Sequence, residues 1–252
     1  MNNKFLQGKV AVITGGSRGI GRATAVAMAG AGAKVALLGR DTAKLAESLE
    51  AVKKAGGEGI TIVCDMKDEA QVRKAADEVK QRFGAVHILV NNAGTAIRKN
   101  VIDFTLDEWR NLTDTNITGV FLACKYFVPY MKGQGYGRII NLTSIMAHIS
   151  STGRGVYSAT KHAVAGLTKA LALELADDKI TCVAISPGFI ATDLTAPLRA
   201  DAAKNDALMA QTPAKRWGTP DEIASLALYI CSDGAAFMTG NDVLMDGGWC
   251  AQ

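Results

Sequence analysis

The chain has little of what would remove it from the ordinary soluble class. Its 252 residues include five cysteines (Cys64, Cys124, Cys182, Cys231 and Cys250), and no two stand in a C-x-x-C spacing. Four of them sit among apolar neighbours, which argues against a disulfide framework or a metal centre and for buried thiols in a reducing compartment. No stretch is apolar for long enough to span a bilayer, and Met1 to Gly8 lacks the apolar core of a secretory signal. A cytoplasmic protein with no membrane partner is expected. Lysine and arginine (28) barely exceed aspartate and glutamate (24), giving a net charge of +4. The basic residues are scattered, without a run or interleaved aromatics, so no nucleic-acid partner is expected. There is also no Pro/Ser-rich linker, repeat or low-complexity segment, and one domain spanning residues 1–252 follows.

What the chain has in quantity is alternation. Short apolar runs are separated by longer helical patterns. The strands read as Val10–Ile13, Val35–Leu38, Ile60–Cys64, Val86–Asn91, Arg138–Leu142, Ile180–Ile185 and Asp242–Met245. Helices are expected over Ile20–Ala31, after an Asp41 cap, and over Glu69–Phe83, Asp107–Met131, Gly155–Ala176 and Pro220–Cys231. Apolar strands buried on both faces and joined by helices imply an α/β fold with a doubly wound parallel sheet. The least regular stretch, residues 189–219, holds Pro197, Pro213 and a polar helix-like segment, Leu198–Gln211. A long excursion at the carboxyl end of a strand is where a substrate lid belongs in such a sheet.

Several clusters suggest chemistry. Thr14-Gly15-Gly16-Ser17-Arg18-Gly19-Ile20-Gly21 follows the first strand and opens the first helix. Glycines there permit a tight turn and let backbone N–H groups approach a dinucleotide pyrophosphate. The second strand ends Leu38-Gly39-Arg40, with no acid at its tip to take a ribose 2′-hydroxyl. Arg40 and Arg18 instead suit a 2′-phosphate, so NADP(H) is the expected cofactor, with NAD(H) as the alternative. Asn91-Asn92-Ala93-Gly94 ends the fourth strand with small residues, and Ser144 follows the fifth. Tyr157 and Lys161 stand one turn apart on one helix face. A lysine ammonium about 4 Å from a phenol contributes about 4 kcal/mol at an effective dielectric near 20, enough to draw the phenol toward neutrality as a proton exchanger.

Thr14-Gly15-x-x-x-Gly19-x-Gly21, Asn91-Asn92-Ala93-Gly94, Asn116, Ser144, Tyr157-x-x-x-Lys161 and Pro187-Gly188 occur in this order over essentially the whole chain. Together they resemble the short-chain dehydrogenase/reductase family in its compact single-domain form. The resemblance implies a Rossmann-like sheet of seven parallel strands flanked by helices, and a homotetramer. It implies a catalytic tetrad in which Tyr157 is the general acid/base and Lys161 lowers its pKa and binds the nicotinamide ribose. Ser144 would orient the carbonyl, and Asn116 would hold a water linking Lys161 to solvent. For the cofactor it implies Gly15, Ser17, Arg18, Gly19, Ile20, Gly21, Arg40, Asp65, Asn91, Ala93, Gly94, Tyr157, Lys161, Pro187, Gly188, Ile190 and Thr192. Asp65 matches a residue that meets the adenine amine, and Thr192 one that meets the nicotinamide amide. No metal is implied. Ala184 stands where the family often has asparagine.

The segments Gly188–Arg199 and Thr212–Gly218 resemble gluconate 5-dehydrogenases, and Asp246-Gly247-Gly248-Trp249 resembles the ending of 2-dehydro-3-deoxygluconate 5-dehydrogenases. Arg98 falls where that group places an arginine against a sugar-acid carboxylate, a contact suited to a guanidinium fork. Arg154, His148 and Met146 are further candidates to face the substrate. The expected activity is hydride transfer between NADP(H) and a small secondary alcohol or ketone, with a keto sugar acid or polyol first. A 3-oxoacyl-thioester reductase or a broad carbonyl reductase is the alternative.

Overall fold

The structure, a computed structural model, describes residues 4–252. Residues 1–3, where the segment read above as lacking a signal core begins, lie outside the described residues. Seven strands form a single sheet: β1 (Val10–Thr14), β2 (Lys34–Gly39), β3 (Glu58–Val63), β4 (Ile88–Asn91), β5 (Gly137–Leu142), β6 (Ile180–Pro187) and β7 (Asp242–Met245). They lie in the order β3-β2-β1-β4-β5-β6-β7, and every pairing is parallel. The chain winds outward from β1 in one direction and then from β4 in the other. Connections therefore diverge between the carboxyl ends of β1 and β4, and a crevice opens there.

Strand residues alternate between two apolar layers, as a period of two requires. Val10, Val12, Ala36 and Leu38 face a layer formed with α3 (Glu69–Phe83), α5 (Gly119–Phe127) and α6 (Gly155–Glu174). Ala11, Ile13, Val35 and Leu37 face the other, formed with α1 (Gly19–Gly30), α2 (Thr42–Lys54) and α9 (Pro220–Cys231). Both faces of the central strands are dry, which explains their unbroken apolar runs. Each fully buried Leu or Ile contributes about 1.5–3 kcal/mol, and Ile13, Leu37, Leu38, Ile88, Leu89 and Ile139 are all in that state.

Three expected elements differ. The helix expected over Asp107–Met131 is not continuous. It consists of α4 (Leu106–Thr113), a wide π-turn (Asp114–Thr118), α5, and a tight turn at Val128–Tyr130 around Pro129. The π-turn carries Asn116, whose side chain binds backbone outside the helix; the extra residue accommodates that diversion. The expected helix Leu198–Gln211 is divided into α7 (Ala196–Ala200) and α8 (Ala202–Gln211) at Asp201, which caps α8 by accepting the Lys204 N–H. β4 begins at Ile88 instead of Val86, because the Val86 N–H is given to the Tyr130 carbonyl.

Candidate active site

The crevice begins at the β1–α1 turn. Gly15 lies at φ 65° and Gly19 at φ 53°, conformations open to glycine at little cost. A Cβ on Gly21 would stand 2.3 Å from the Gly15 carbonyl, so the turn closes only with glycine there. The Asn-Asn-Ala-Gly segment locks onto this turn. Thr14 Oγ1 accepts the Asn92 and Ala93 N–H groups, each at 3.0 Å, and Asn92 Nδ2 donates to the carbonyls of Thr14 (2.9 Å) and Gly15 (3.0 Å). The side chain of Asn91 turns the other way, donating to Asn141 Oδ1 at 2.8 Å in the interior. Thr14 and Asn92 therefore hold the loop, a role the sequence did not reveal; a polar residue at each strand tip was the available signal.

Whether this turn suits a pyrophosphate is tested by how its helix is capped. Helices α2, α3, α4, α8 and α9 each receive a side-chain cap, from Asp41, Asp68, Thr105, Asp201 and Thr219. At α1, the N-cap residue Arg18 makes no side-chain cap and the first turn has no acid. Its leading N–H groups, from Gly19, Ile20 and Gly21, remain for an anion, so the residues present fit a dinucleotide phosphate. Ser17 is fixed by Ser48 Oγ, which donates to its carbonyl at 3.0 Å. Arg18 and Arg40 are exposed, with only long contacts to Asp193 (3.8 Å) and Asp65 (3.9 Å). Asp65 Oδ1 accepts the Lys67 N–H, which fixes its carboxylate beside Arg40.

On the far side of the crevice, Gly188 follows Pro187 at the end of β6, where a Cβ would come within 2.7 Å of Asp246. Ile190 is buried against Gly218, so only its backbone can meet a cofactor. Thr192 reaches back to the glycine turn: its methyl lies 3.4 Å from where a Gly19 Cβ would stand. The excursion over residues 189–219 thus closes over the first turn of α1.

The four expected catalytic residues converge. Asn116 is buried, accepts the Thr95 N–H at 2.9 Å, and donates to the Thr95 carbonyl (2.9 Å) and Thr160 Oγ1 (3.1 Å). Lys161 is 6% exposed, and its Nζ donates to the Leu142 carbonyl at 2.7 Å. A Cβ on Gly94 would lie 3.5 Å from Asn116 Oδ1 and 3.8 Å from Lys161 Nζ, so a glycine there leaves the space between them open. Ser144 Oγ accepts the Met146 N–H at 3.2 Å, so its own proton is directed at the Tyr157 oxygen and the crevice beside it. Met146 is buried, and this backbone contact is its link to the site.

The electrostatics depart from the expectation. Lys161 Nζ lies 5.6 Å from the Tyr157 ring centroid and is engaged with a carbonyl. Burial pushes the Tyr157 phenol above its ordinary value; the Ser144 hydroxyl, by hydrogen bonding, and Arg154, by charge, oppose this. Two cations flank the Tyr157 ring, Lys161 Nζ at 5.6 Å and the Arg154 guanidinium at 5.9 Å from its centroid. Burial also pushes Lys161 down to about 8, opposed by the Asp242 carboxylate. At neutral pH Tyr157 is a protonated phenol, arranged to donate.

Arg98 and Arg154 are brought together by two loops. The Lys99 N–H donates to the Gly153 carbonyl at 2.9 Å, and a Cβ on Gly153 would stand 3.2 Å from Arg98 Cγ. Arg154 is held below the usual arginine value, first by burial and then by the charge of Arg98. Among the described residues neither arginine has a carboxylate partner, whereas neighbouring Lys99 pairs with Glu108 at 2.8 Å. His148 does not face this pair; its Nε2 turns onto Ser186 (3.0 Å) and Asp242 (3.3 Å).

Among the described residues no helix is long and apolar enough to cross a membrane. The family model described as enoyl-(acyl carrier protein) reductase matches residues 15–250. A 3-oxoacyl-[acyl-carrier-protein] reductase of Synechocystis is 37% identical over 96% of this chain and 97% of its own. A 2-dehydro-3-deoxy-D-gluconate 5-dehydrogenase of Bacillus subtilis is 35% identical over 98% and 96%. A crystal structure of an Agrobacterium tumefaciens protein, provisionally named 2-deoxy-D-gluconate 3-dehydrogenase and with NADP bound, superposes at a TM-score of 0.91 over the whole of both chains, at 36% identity. With its glycine turn, its converging Asn116, Ser144, Tyr157 and Lys161, and relatives of this similarity along its full length, the chain belongs to the short-chain dehydrogenase/reductase family of oxidoreductases.

Proposed function

We propose that the protein reduces the ketone of a small carboxylate-bearing substrate, of the keto sugar acid class, using NADPH. The observation that carries this reading is the pair Arg98 and Arg154. The Arg154 guanidinium stands over the Tyr157 ring with Arg98 next to it, and among the described residues neither has a carboxylate to neutralise it. Holding like charges together costs free energy unless an anion joins them, and a carboxylate accepts from a guanidinium fork at two oxygens.

The nucleotide supplies the hydride when bound. The remaining work belongs to the chain. Ser144 donates its hydroxyl proton to the substrate oxygen and holds it beside Tyr157. The protonated phenol transfers its proton to that oxygen as negative charge develops there. Ser144 and Arg154 then favour the phenolate left behind, since both lower the phenol's affinity for its proton. Buried Lys161 holds its charge against the floor of the site, and its Nζ is the group that would meet the nicotinamide ribose. Arg40 and Arg18 would take the 2′-phosphate, the N–H groups at the start of α1 the pyrophosphate, and Asp65 the adenine amine. Residues 189–219 act as the lid. The fold's usual assembly is a homotetramer, and exposed apolar residues on α4 and α5 (Leu106, Trp109 and Phe121) suit burial against another copy.

A 3-oxoacyl thioester is the second reading, favoured by the 37% identical reductase. Initial rates with NADPH against 5-ketogluconate, acetoacetyl thioester and a small apolar ketone separate the two. The proposal expects the keto acid to be fastest, with KM for it rising about 10- to 100-fold in Arg98→Ala or Arg154→Ala. A faster thioester rate, unaffected by either substitution, would remove the sugar-acid reading.

A further inference from the structure

Beneath Ser144 lies a polar cluster that the reaction as described does not use. It joins three strands and a turn: Thr143 after β5, Ser186 in β6, Asp242 opening β7, and His148 beyond the turn Ile145–Ala147. Thr143 and Ser186 are 4% and 0% exposed, and the Asp242 side chain is 10% exposed. Asp242 Oδ1 lies 2.7 Å from Ser186 Oγ and 3.0 Å from Thr143 Oγ1. Its Oδ2 has no hydrogen-bond partner among the described residues; the His148 Nε2 stands 3.3 Å from it and 3.0 Å from Ser186 Oγ. Ser186 Oγ also lies 3.0 Å from the backbone carbonyl of Ser144.

Counting protons centres this cluster on Ser186. Each hydroxyl has one proton, and a carboxylate oxygen only accepts. Thr143 Oγ1 has two acceptors, the Ile185 carbonyl at 2.8 Å and Asp242 Oδ1 at 3.0 Å. With the His148 Nε2–H given to Ser186 Oγ at 3.0 Å, the single Ser186 proton lies between Asp242 Oδ1 and the Ser144 carbonyl. That carbonyl is then held from two sides, because it also accepts the Ala147 N–H at 2.7 Å. The Ser144 peptide is the first of the turn whose Met146 N–H aims the Ser144 hydroxyl.

We infer that His148 and Asp242 are positioning residues: acting through Ser186, they fix the Ser144 peptide and so aim the hydroxyl that holds the substrate oxygen. The inference rests on the role proposed above for Ser144. It accounts for a carboxylate kept nearly dry beside β6, where a buried charge is tolerated only with polar partners: Thr143 and Ser186 on Oδ1 and the His148 ring 3.3 Å from Oδ2. It also accounts for the orientation of His148 away from the arginine pair. The same carboxylate is the counter-charge that opposes the loss of the Lys161 proton, so the device supports two members of the tetrad from one buried group.

The test is kinetic, on the full chain, with NADPH and whichever of the three ketones above is reduced fastest. Ser144→Ala is the reference. Asp242→Asn and His148→Ala are expected to lower kcat by about 10-fold or more, up to about 100-fold. NADPH affinity, read by tryptophan fluorescence, should not change. His148→Gln, whose amide N–H can take the place of the ring N–H toward Ser186, should recover most of the loss; a role in packing alone would not distinguish these two substitutions at a surface-facing ring. Unchanged kcat in Asp242→Asn and His148→Ala, with Ser144→Ala inactive, would overturn the positioning inference and leave the reading of the site intact. So would an NADPH affinity that falls in step with kcat, or a His148→Gln as impaired as His148→Ala. Full activity in Ser144→Ala would overturn the reading of the site itself.

Discussion

The floor of the crevice and its rim are built on opposite principles. On the floor, Asn116, Lys161 and Asn91 are buried, and each polar side chain is tied to backbone or to another buried group. On the rim, Arg18 and Arg40 reach into solvent with only distant carboxylates. The segment 189–219 there is fastened by backbone bonds, such as the Gly218 N–H to the Phe189 carbonyl at 2.9 Å, and by aromatic edges: Phe189 lies 5.9 Å from Trp217 and 4.8 Å from Trp249. A rigid floor keeps reacting groups within tenths of an ångström, and a loosely tied rim can exchange contacts without disturbing them. On the proposed reading, reaction type resides in the floor and substrate or cofactor preference in the rim.

That division can be broken experimentally, beginning where the effect is largest. Tyr157→Phe removes only the hydroxyl from the floor, and kcat should fall by about 100- to 10,000-fold while NADPH titration gives an unchanged Kd. A variant retaining most of its rate would place the proton donor elsewhere. On the rim, Arg40→Ala should raise KM for NADPH by about 10- to 100-fold and leave KM for NADH nearly as it was. Equal changes for the two cofactors would take Arg40 out of 2′-phosphate recognition. Trp249→Ala loosens the lid at its far anchor, and an aromatic pair of this geometry contributes about 0.5–1.5 kcal/mol. Substrate KM should therefore rise about 2- to 10-fold with kcat little altered; a collapse of kcat would make the lid part of the catalytic floor.

The smallest effect sharpens the comparison through stability. Lys161 titrates at about 8 in the folded chain against 10.5 as a free side chain. Between those values the unfolded chain binds the extra proton, so stability rises with pH across that window. Below about 8 both states are protonated and the cost of burying the charge is constant, at most about 3 kcal/mol. Lys161→Met should therefore be inactive yet more stable than the parent in urea at pH 7, with its advantage shrinking as pH rises from 8 to 10. A less stable variant at pH 7 would show that the bond to the Leu142 carbonyl outweighs the desolvation.

Legibility in the sequence follows the same line. Apolar runs of four to six residues separated by helical patterns dictate a parallel sheet because both faces must be dry, and the seven strands fall within about two residues of where the runs stand. The glycine turn, Asn-Asn-Ala-Gly and the Tyr-Lys pair are readable because each role depends on neighbours close in sequence. Other features were not. The π-turn at Asn116 depends on Thr95 and Thr160, and Arg154 joins Lys161 beside the Tyr157 ring. His148, expected to face substrate, joins Ser186 and Asp242 across 38 residues and three strands.

The sequence by itself determined the sheet, the turn that receives a phosphate and the four residues of the floor, because backbone conformation and burial are set by local pattern. Tertiary structure alone decided which charges become neighbours. It brought Asp242 near enough to oppose the loss of the Lys161 proton, brought Arg98 beside Arg154, and buried the Tyr157 phenol so that its proton is held more tightly. Those outcomes depend on distance and desolvation between segments, and no residue spacing encodes either.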